Sequence, residues 1–357
     1  MGFNRPLHGL RGIASLMVFL AHISFGYYDH FYHNNAVMAA IAAYFANFGT
    51  FGVELFFVIS GYVITSSCLN YSPGEFFGRR FWRLYPLFAL FTFLYFVLNH
   101  FFPQDPGRGS LSGLAANLLF LDIFLGTTPL TPNAWSISFE VWYYVATYLL
   151  IHSAFRRKDE FNPFLAIPAV AFAGFMIAAY DITVYFLGGA FLFFVNNYII
   201  RDHFEMRWKT ALATVFLISV IVIATIWDFP PKTYLEIPGT QIAGFLLVIS
   251  TLMLVFFLLH EDNIYSKLLL SRPLRFIGTI SYSLYLTHPY TYLIVRQLSY
   301  KIKLGSHPWM VTFPLYLVAN VLLAFGASWV VHRIVEIGPY RLIYKSRIYR
   351  QPDTNLA

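Results

Sequence analysis

The sequence predicts an all-α polytopic membrane protein, with ten transmembrane helices, one short re-entrant or interfacial helix, and both termini in the cytoplasm. Three observations carry this. Of the 357 residues, 58% are hydrophobic and 11% charged, against roughly 25% charged in soluble proteins. Apolar stretches long enough to cross a bilayer recur along the chain. The basic residues between them fall alternately thick and thin, as the positive-inside rule requires.

The expected spans are 10–28, 51–69, 84–102, 135–153, 163–180, 182–200, 210–227, 241–259, 276–296 and 310–335. The stretch 111–126 is short and contains Gly113 and Asp122, so it is read as non-spanning. With the N-terminus inside, all but five of the 24 Lys and Arg fall on the inner side. The five are Arg108, Lys232, Arg296, Lys301 and Lys303. If 111–126 crossed, every later loop would change sides and most of this bias would vanish. The organisation is one membrane domain over 1–343, followed by a polar cytoplasmic tail, 344–357. No cleavable leader is evident after the first apolar run.

Composition also narrows function. The single cysteine, Cys68, excludes an intrachain disulfide and a cysteine metal cluster. No metal or prosthetic group is predicted. The net charge of +7 has a topological explanation, so no nucleic acid is expected; the lipid bilayer is the surrounding partner.

The first span carries Arg11 at its inner end and His22 within it. Eleven residues are about three helical turns, so the two share a face, roughly 16 Å apart. Ionisable groups in hydrocarbon are costly and mark function by default. The alternation of span direction puts Glu54, Glu140 and His288 at the same outer depth as His22, on four different helices. Isolated in lipid each is expensive, so convergence in one polar cavity is the expectation. Each also has a plainer reading. His22 could be a core histidine bonded to a carbonyl, Glu54 an interfacial carboxylate, Glu140 a structural one, and His288, before Pro289, the mark of a helix break.

At the inner surface lies Gly78-Arg79-Arg80-Phe81-Trp82-Arg83-Leu84-Tyr85-Pro86. A snorkelling basic flank explains much of it. Arginine at all three positions suits bidentate grip on phosphate. Coenzyme A has phosphates at one end and a pantetheine arm whose length is of the order of the Arg11–His22 separation. A donor held at the cytoplasmic arginines could therefore present its thioester to His22. There the imidazole could act as general base on an acceptor hydroxyl, with Glu140 orienting the ring as the acid of a triad does; direct transfer and a transient acetyl-His22 both fit. A proton-coupled carrier of a small anion is the rival reading, because intramembrane His and Glu with basic gates suit that too.

Five stretches in order, LRGIASLMVFLAH, FGVELFFVISGYVI, RRFWRLYPL, WSISFEVWYY and SYSLYLTHP, resemble the membrane acyltransferase-3 family. The resemblance runs from Leu7 to about Arg341. It implies an O-acetyltransferase of the bacterial inner membrane that uses acetyl-CoA as donor and acylates an extracytoplasmic glycan, with lipopolysaccharide O-antigen the preferred acceptor. Another acyl donor, or a peptide or lipid acceptor, stays open. The family's arginine–ten residues–histidine motif matches Arg11 and His22. Its arginine-x-x-arginine motif matches Arg80 and Arg83, and its tryptophan–serine motif contributes Trp135, Ser136 and Glu140. Glu54 stands where the family has aspartate, and with His288 is read as substrate-binding or supporting. The terminal glutamate-x-proline pattern is one residue longer here, Glu336-Ile337-Gly338-Pro339, so Glu336 receives no role. Some relatives add a soluble hydrolase-like domain; this chain is expected to be the stand-alone form.

Overall fold

A computed structural model describes residues 4–101, 108–131, 133, 135–154, 162–200, 208–226 and 242–343. The tail 344–357 and the basic residues Arg156, Arg157, Lys158, Arg201, Arg207 and Lys232 lie outside the described residues. What is described is helix joined by turns.

The three opening helices are α1 (Arg5–Phe31), α2 (Ala36–Asn70) and α3 (Pro73–Phe101). Asn4 caps α1 by accepting from the Leu7 amide, and Asn35 caps α2 by accepting from Met38. Such caps satisfy amides that the first turn leaves unpaired. Both α2 and α3 start well before the apolar windows 51–69 and 84–102. Hydropathy marks the part that suits hydrocarbon, whereas the helix runs on until a cap or proline stops it.

Next come α4 (Leu111–Leu118) and α5 (Asp122–Leu125). The break between them holds Phe120 at φ 57°, and Gly126 closes α5 at φ 61°. Eight residues rise only about 12 Å, so neither crosses a bilayer, as read from the sequence. The following helices are α6 (Trp135–Ala154), α7 (Pro163–Ala179), α8 (Val184–Phe194), α9 (Lys209–Ile226) and α10 (Ile242–Leu258). The chain then forms α11 (Ile264–Leu269), α12 (Arg272–Lys301), α13 (Trp309–Val331) and α14 (Ile337–Ile343). A π-helical turn, Val195–Ile199, extends α8, and another, His332–Glu336, joins α13 to α14.

Among the described residues, each expected span overlaps a helix or a helix with its π turn. Five helices are long and apolar enough to cross a membrane by themselves: α1, α2, α3, α9 and the run Trp309–Ile343. Three apolar helices are shorter. The other two, α6 and α12, carry polar faces (Ser136, Ser138 and Glu140; Ser281, Ser283 and His288) that lower their mean hydropathy and turn inward. The outward faces of α7, α9 and α13 bear exposed Phe164, Ile167, Ile218, Leu315 and Leu322, as a lipid-facing surface does.

α1 runs between α2 and α12, and α2 packs its other sides on α6 and α8. The contacts are close because small residues meet backbone. A Cβ at Gly12 would stand 2.6 Å from the Leu274 carbonyl oxygen, and one at Gly189 2.0 Å from that of Val58. Without a hydrophobic drive in lipid, such close packing holds membrane helices together. α1 and α12 run parallel in a fixed register: Gly12 lies beside Gly278, His22 beside His288, and His30 beside Arg296.

Candidate functional site

A cavity opens among α1, α2, α3, α6 and α12. It is lined by Arg11, Arg80 and Arg83, by Ser60 of α2, by Ser136, Glu140 and Tyr144 of α6, and by Ser281, Tyr282 and Tyr285 of α12. Its volume is about 70 Å³, room for roughly five waters. That suits a narrow chain and not a nucleotide.

Helix geometry puts these groups together. On α3, Arg80 and Arg83 are three residues apart and share a face. Arg80 donates to Ser67 Oγ at 2.8 Å, and its guanidinium lies 5.5 Å from the Tyr144 ring centre. Arg79 faces elsewhere: it pairs with Glu75 at 2.5 Å and donates to Tyr340 at 3.1 Å. Its charge is compensated inside the fold. Arg11 and Arg83 both act on His8, so arginines of α1 and α3 gather at one mouth. The Nε2 of His8 is itself 3.1 Å from the Arg275 carbonyl and 3.1 Å from Thr279 Oγ1, tying α1 to α12.

Glu140 accepts from Ser60 Oγ at 2.7 Å and from the Tyr144 hydroxyl. It has no bond to His22, contrary to expectation; its carboxylate belongs to the arginine cavity. Ser136 is bonded to the Tyr285 hydroxyl at 2.7 Å, further along the same cavity. Trp135 is buried in aromatic packing, edge-on to Phe57 and Phe139, and does not reach the cavity wall.

His22 pairs instead with His288. Their Nδ1 and Nε2 atoms are 3.1 Å apart, and the ring centres 5.0 Å. The tautomers follow from the other bonds. His288 Nδ1 lies 3.0 Å from the Leu284 carbonyl, so it carries the proton and Nε2 is bare. His22 Nδ1 must then donate, to His288 and to the Val18 carbonyl at 3.0 Å. That leaves the lone pair of His22 Nε2 free. His288 is 1% exposed, whereas His22 retains an accessible surface.

Two further expectations are corrected. Glu54 is buried, but on the side of α2 that carries Gly61 toward α8, not toward the histidines. Its Oε2 has no hydrogen bond, and neither has the hydroxyl of the neighbouring Tyr185. A seven-residue step keeps Glu54 and Gly61 on one face, and α1 sits on another. The four deep groups therefore form separate sites, with only His22 and His288 in contact. Second, among the described residues the lining of the arginine cavity includes neither His22 nor His288. The line of contact runs through Tyr285, whose ring centre is 6.2 Å from that of His288.

Sequence reasoning missed Tyr285 and Asn133. Their signal was available in Pro289. Proline lacks an amide N–H, so in a continuous helix the carbonyl four residues back is left unpaired. α12 does not break there; the freed carbonyl is that of Tyr285, and the Asn133 amide donates to it. The Tyr285 hydroxyl donates in turn to the Asn133 carbonyl at 2.8 Å. Glu336, given no role, is buried in the π turn, accepting from Ser283 at 2.6 Å and lying 2.8 Å from His332 Nδ1.

Fold and site together define a multi-pass helical membrane protein with a basic cavity and, further along α1 and α12, an exposed histidine with a free nitrogen, paired to a buried one. The chain belongs to the acyltransferase-3 family: the family model, described as an acyltransferase domain, matches residues 4–333. The chain is 25% identical to the peptidoglycan O-acetyltransferase OatA of Listeria monocytogenes, over 70% of this chain and 46% of that protein. It is 26% identical to the putative peptidoglycan O-acetyltransferase YrhL of Bacillus subtilis, over 79% of this chain and 47% of that one. A putative acetyltransferase, ORF330 of Acidianus two-tailed virus, is 23% identical over 78% of this chain and 80% of its own. The chain thus spans about half the length of the two bacterial relatives. No solved structure matches. Family membership weighs against the carrier reading.

Proposed function

We propose that this protein crosses the bacterial inner membrane ten times, with both termini inside, and transfers an acetyl group from cytoplasmic acetyl-CoA to a hydroxyl of an extracytoplasmic glycan. The observation that carries this is the free Nε2 of His22, oriented by its bonds to Val18 and His288, about three helical turns, roughly 16 Å of rise, from Arg11 on the same helix.

Arg11, Arg80 and Arg83 hold the donor phosphates, and the arm runs along the cavity past Glu140 and Ser136. Tyr285 swings aside to admit the thioester, a gating motion of the kind that often limits turnover. His22 Nε2 takes the proton of the acceptor hydroxyl as its oxygen attacks the thioester carbonyl. The carbon–sulfur bond breaks, and the departing thiolate recovers that proton from the imidazolium. Glu140 holds Ser60 and Tyr144 in place along the arm.

The acceptor is a surface polysaccharide. O-antigen is the reading from sequence motifs, and the names of the bacterial relatives support peptidoglycan as the second. Labelled acetyl-CoA incubated with membranes and each glycan separates them by where covalent label appears. His22→Ala should abolish labelling while the protein still inserts; full activity in that variant refutes the assignment.

A further inference from the structure

Past the histidine pair, α1 and α12 continue in step to the end of the bundle opposite the arginine cavity. One turn on, the Tyr292 hydroxyl lies across α1 at Gly26, where a Cβ would stand 2.1 Å from it. A larger residue at 26 would push the Tyr292 ring aside. A further turn on, Arg296 Nη1 donates to His30 Nε2 at 2.7 Å, and the guanidinium lies 5.5 Å from the Tyr292 ring centre. Accepting that proton makes His30 neutral at Nε2, so it compensates none of the arginine's charge.

The Nε of Arg296 is buried and has no hydrogen-bond partner. Among the described residues no carboxylate pairs with Arg296; Asp29 is 4.0 Å from His30 Nδ1, on the other nitrogen of that ring. A half-buried guanidinium held by neutral partners, with donors to spare, is built for an oxyanion. The cluster is reachable: Asp29 and Tyr300 beside it are exposed, as is His22 along the same helix.

We propose that Arg296, braced by His30 and Tyr292, is an acceptor subsite for an acidic glycan, binding a carboxylate or phosphate carried by the acceptor. This rests on the reading of His22 as the base. Eight residues of helix separate the two levels, roughly 12 Å, about the length of a disaccharide. The anionic group therefore sits one or two sugars from the hydroxyl that is acylated. The arginine supplies register, placing one hydroxyl of a repeating chain at His22.

The test uses the full chain in lipid nanodiscs and three probes: a hexuronate-containing disaccharide, a phosphorylated one, and the neutral parent. Wild-type protein should bind one acid at least tenfold more tightly than the neutral sugar. Arg296→Gln should erase that preference, and Arg296→Lys, which keeps charge but loses the fork, should retain part of it. Which acid is preferred identifies the anion. Equal binding of all three probes, or a preference that survives Arg296→Gln, overturns the subsite. His22→Ala should lose acetyl transfer yet keep the acid preference, so failure of the base assignment is read separately from failure of this one.

Discussion

His22 and His288 divide the work of an imidazole pair unequally because of one carbonyl. Leu284 accepts from His288 Nδ1, and that bond dictates where every other proton in the pair must be. The hydrogen bond at one ring nitrogen fixes the tautomer of a histidine; for His22 the Val18 carbonyl and a second histidine share that place, where a carboxylate was expected. His288→Ala removes the acceptor and lets the His22 ring turn about Val18. We expect kcat to fall roughly 10- to 100-fold, part of the 10²–10⁴ that general-base catalysis supplies. The KM for acetyl-CoA should not move, because the arginines are untouched. His288→Gln, which can still accept, should recover part of the loss. A rise in donor KM with unchanged kcat would count against the pairing.

At the scale of elements, α12 is the organising helix. Pro289 sits in its middle without ending it, and the carbonyl it frees draws in Asn133 from the segment before α6. One missing amide thereby fastens the start of the Trp135–Glu140 turn to the wall of the cavity. In Pro289→Ala the restored N–H competes for the Tyr285 carbonyl, so Asn133 and Ser136 loosen. The helix gains stability, since interior proline costs about 3 kcal/mol, while kcat should drop and the melting temperature hold or rise. A fall in melting temperature with full activity would sink this account of the proline. The π turn His332–Glu336 does similar service at the other end, presenting a buried carboxylate to Ser283.

Over the whole molecule, the arginines and the Arg296 cluster occupy opposite ends of the parallel pair α1 and α12. On the proposed function, donor and acceptor would meet from two faces. In sealed proteoliposomes of known orientation, acetyl-CoA confined to the arginine side should acetylate glycan present only on the other side. Labelling that requires both reactants on one face would contradict transfer through the bundle.

Sequence alone determined what is local to a helix. The apolar stretches, the short piece 111–126, the shared face of Arg11 and His22, and the three arginines at one end all follow from fixed rise and twist. The common level of His22 and His288 agrees with the expected span directions, since their two helices run parallel. What only the tertiary structure decided is who faces whom: His288 against His22, Glu140 with Ser60 and Tyr144, Glu54 turned toward Tyr185. Equal depth does not bring groups together, since each helix can rotate about its axis without changing depth. That rotation is set where backbones touch, at Gly12 and Gly278 between α1 and α12 and at Gly189 against α2, and those contacts belong to pairs of helices far apart in the chain.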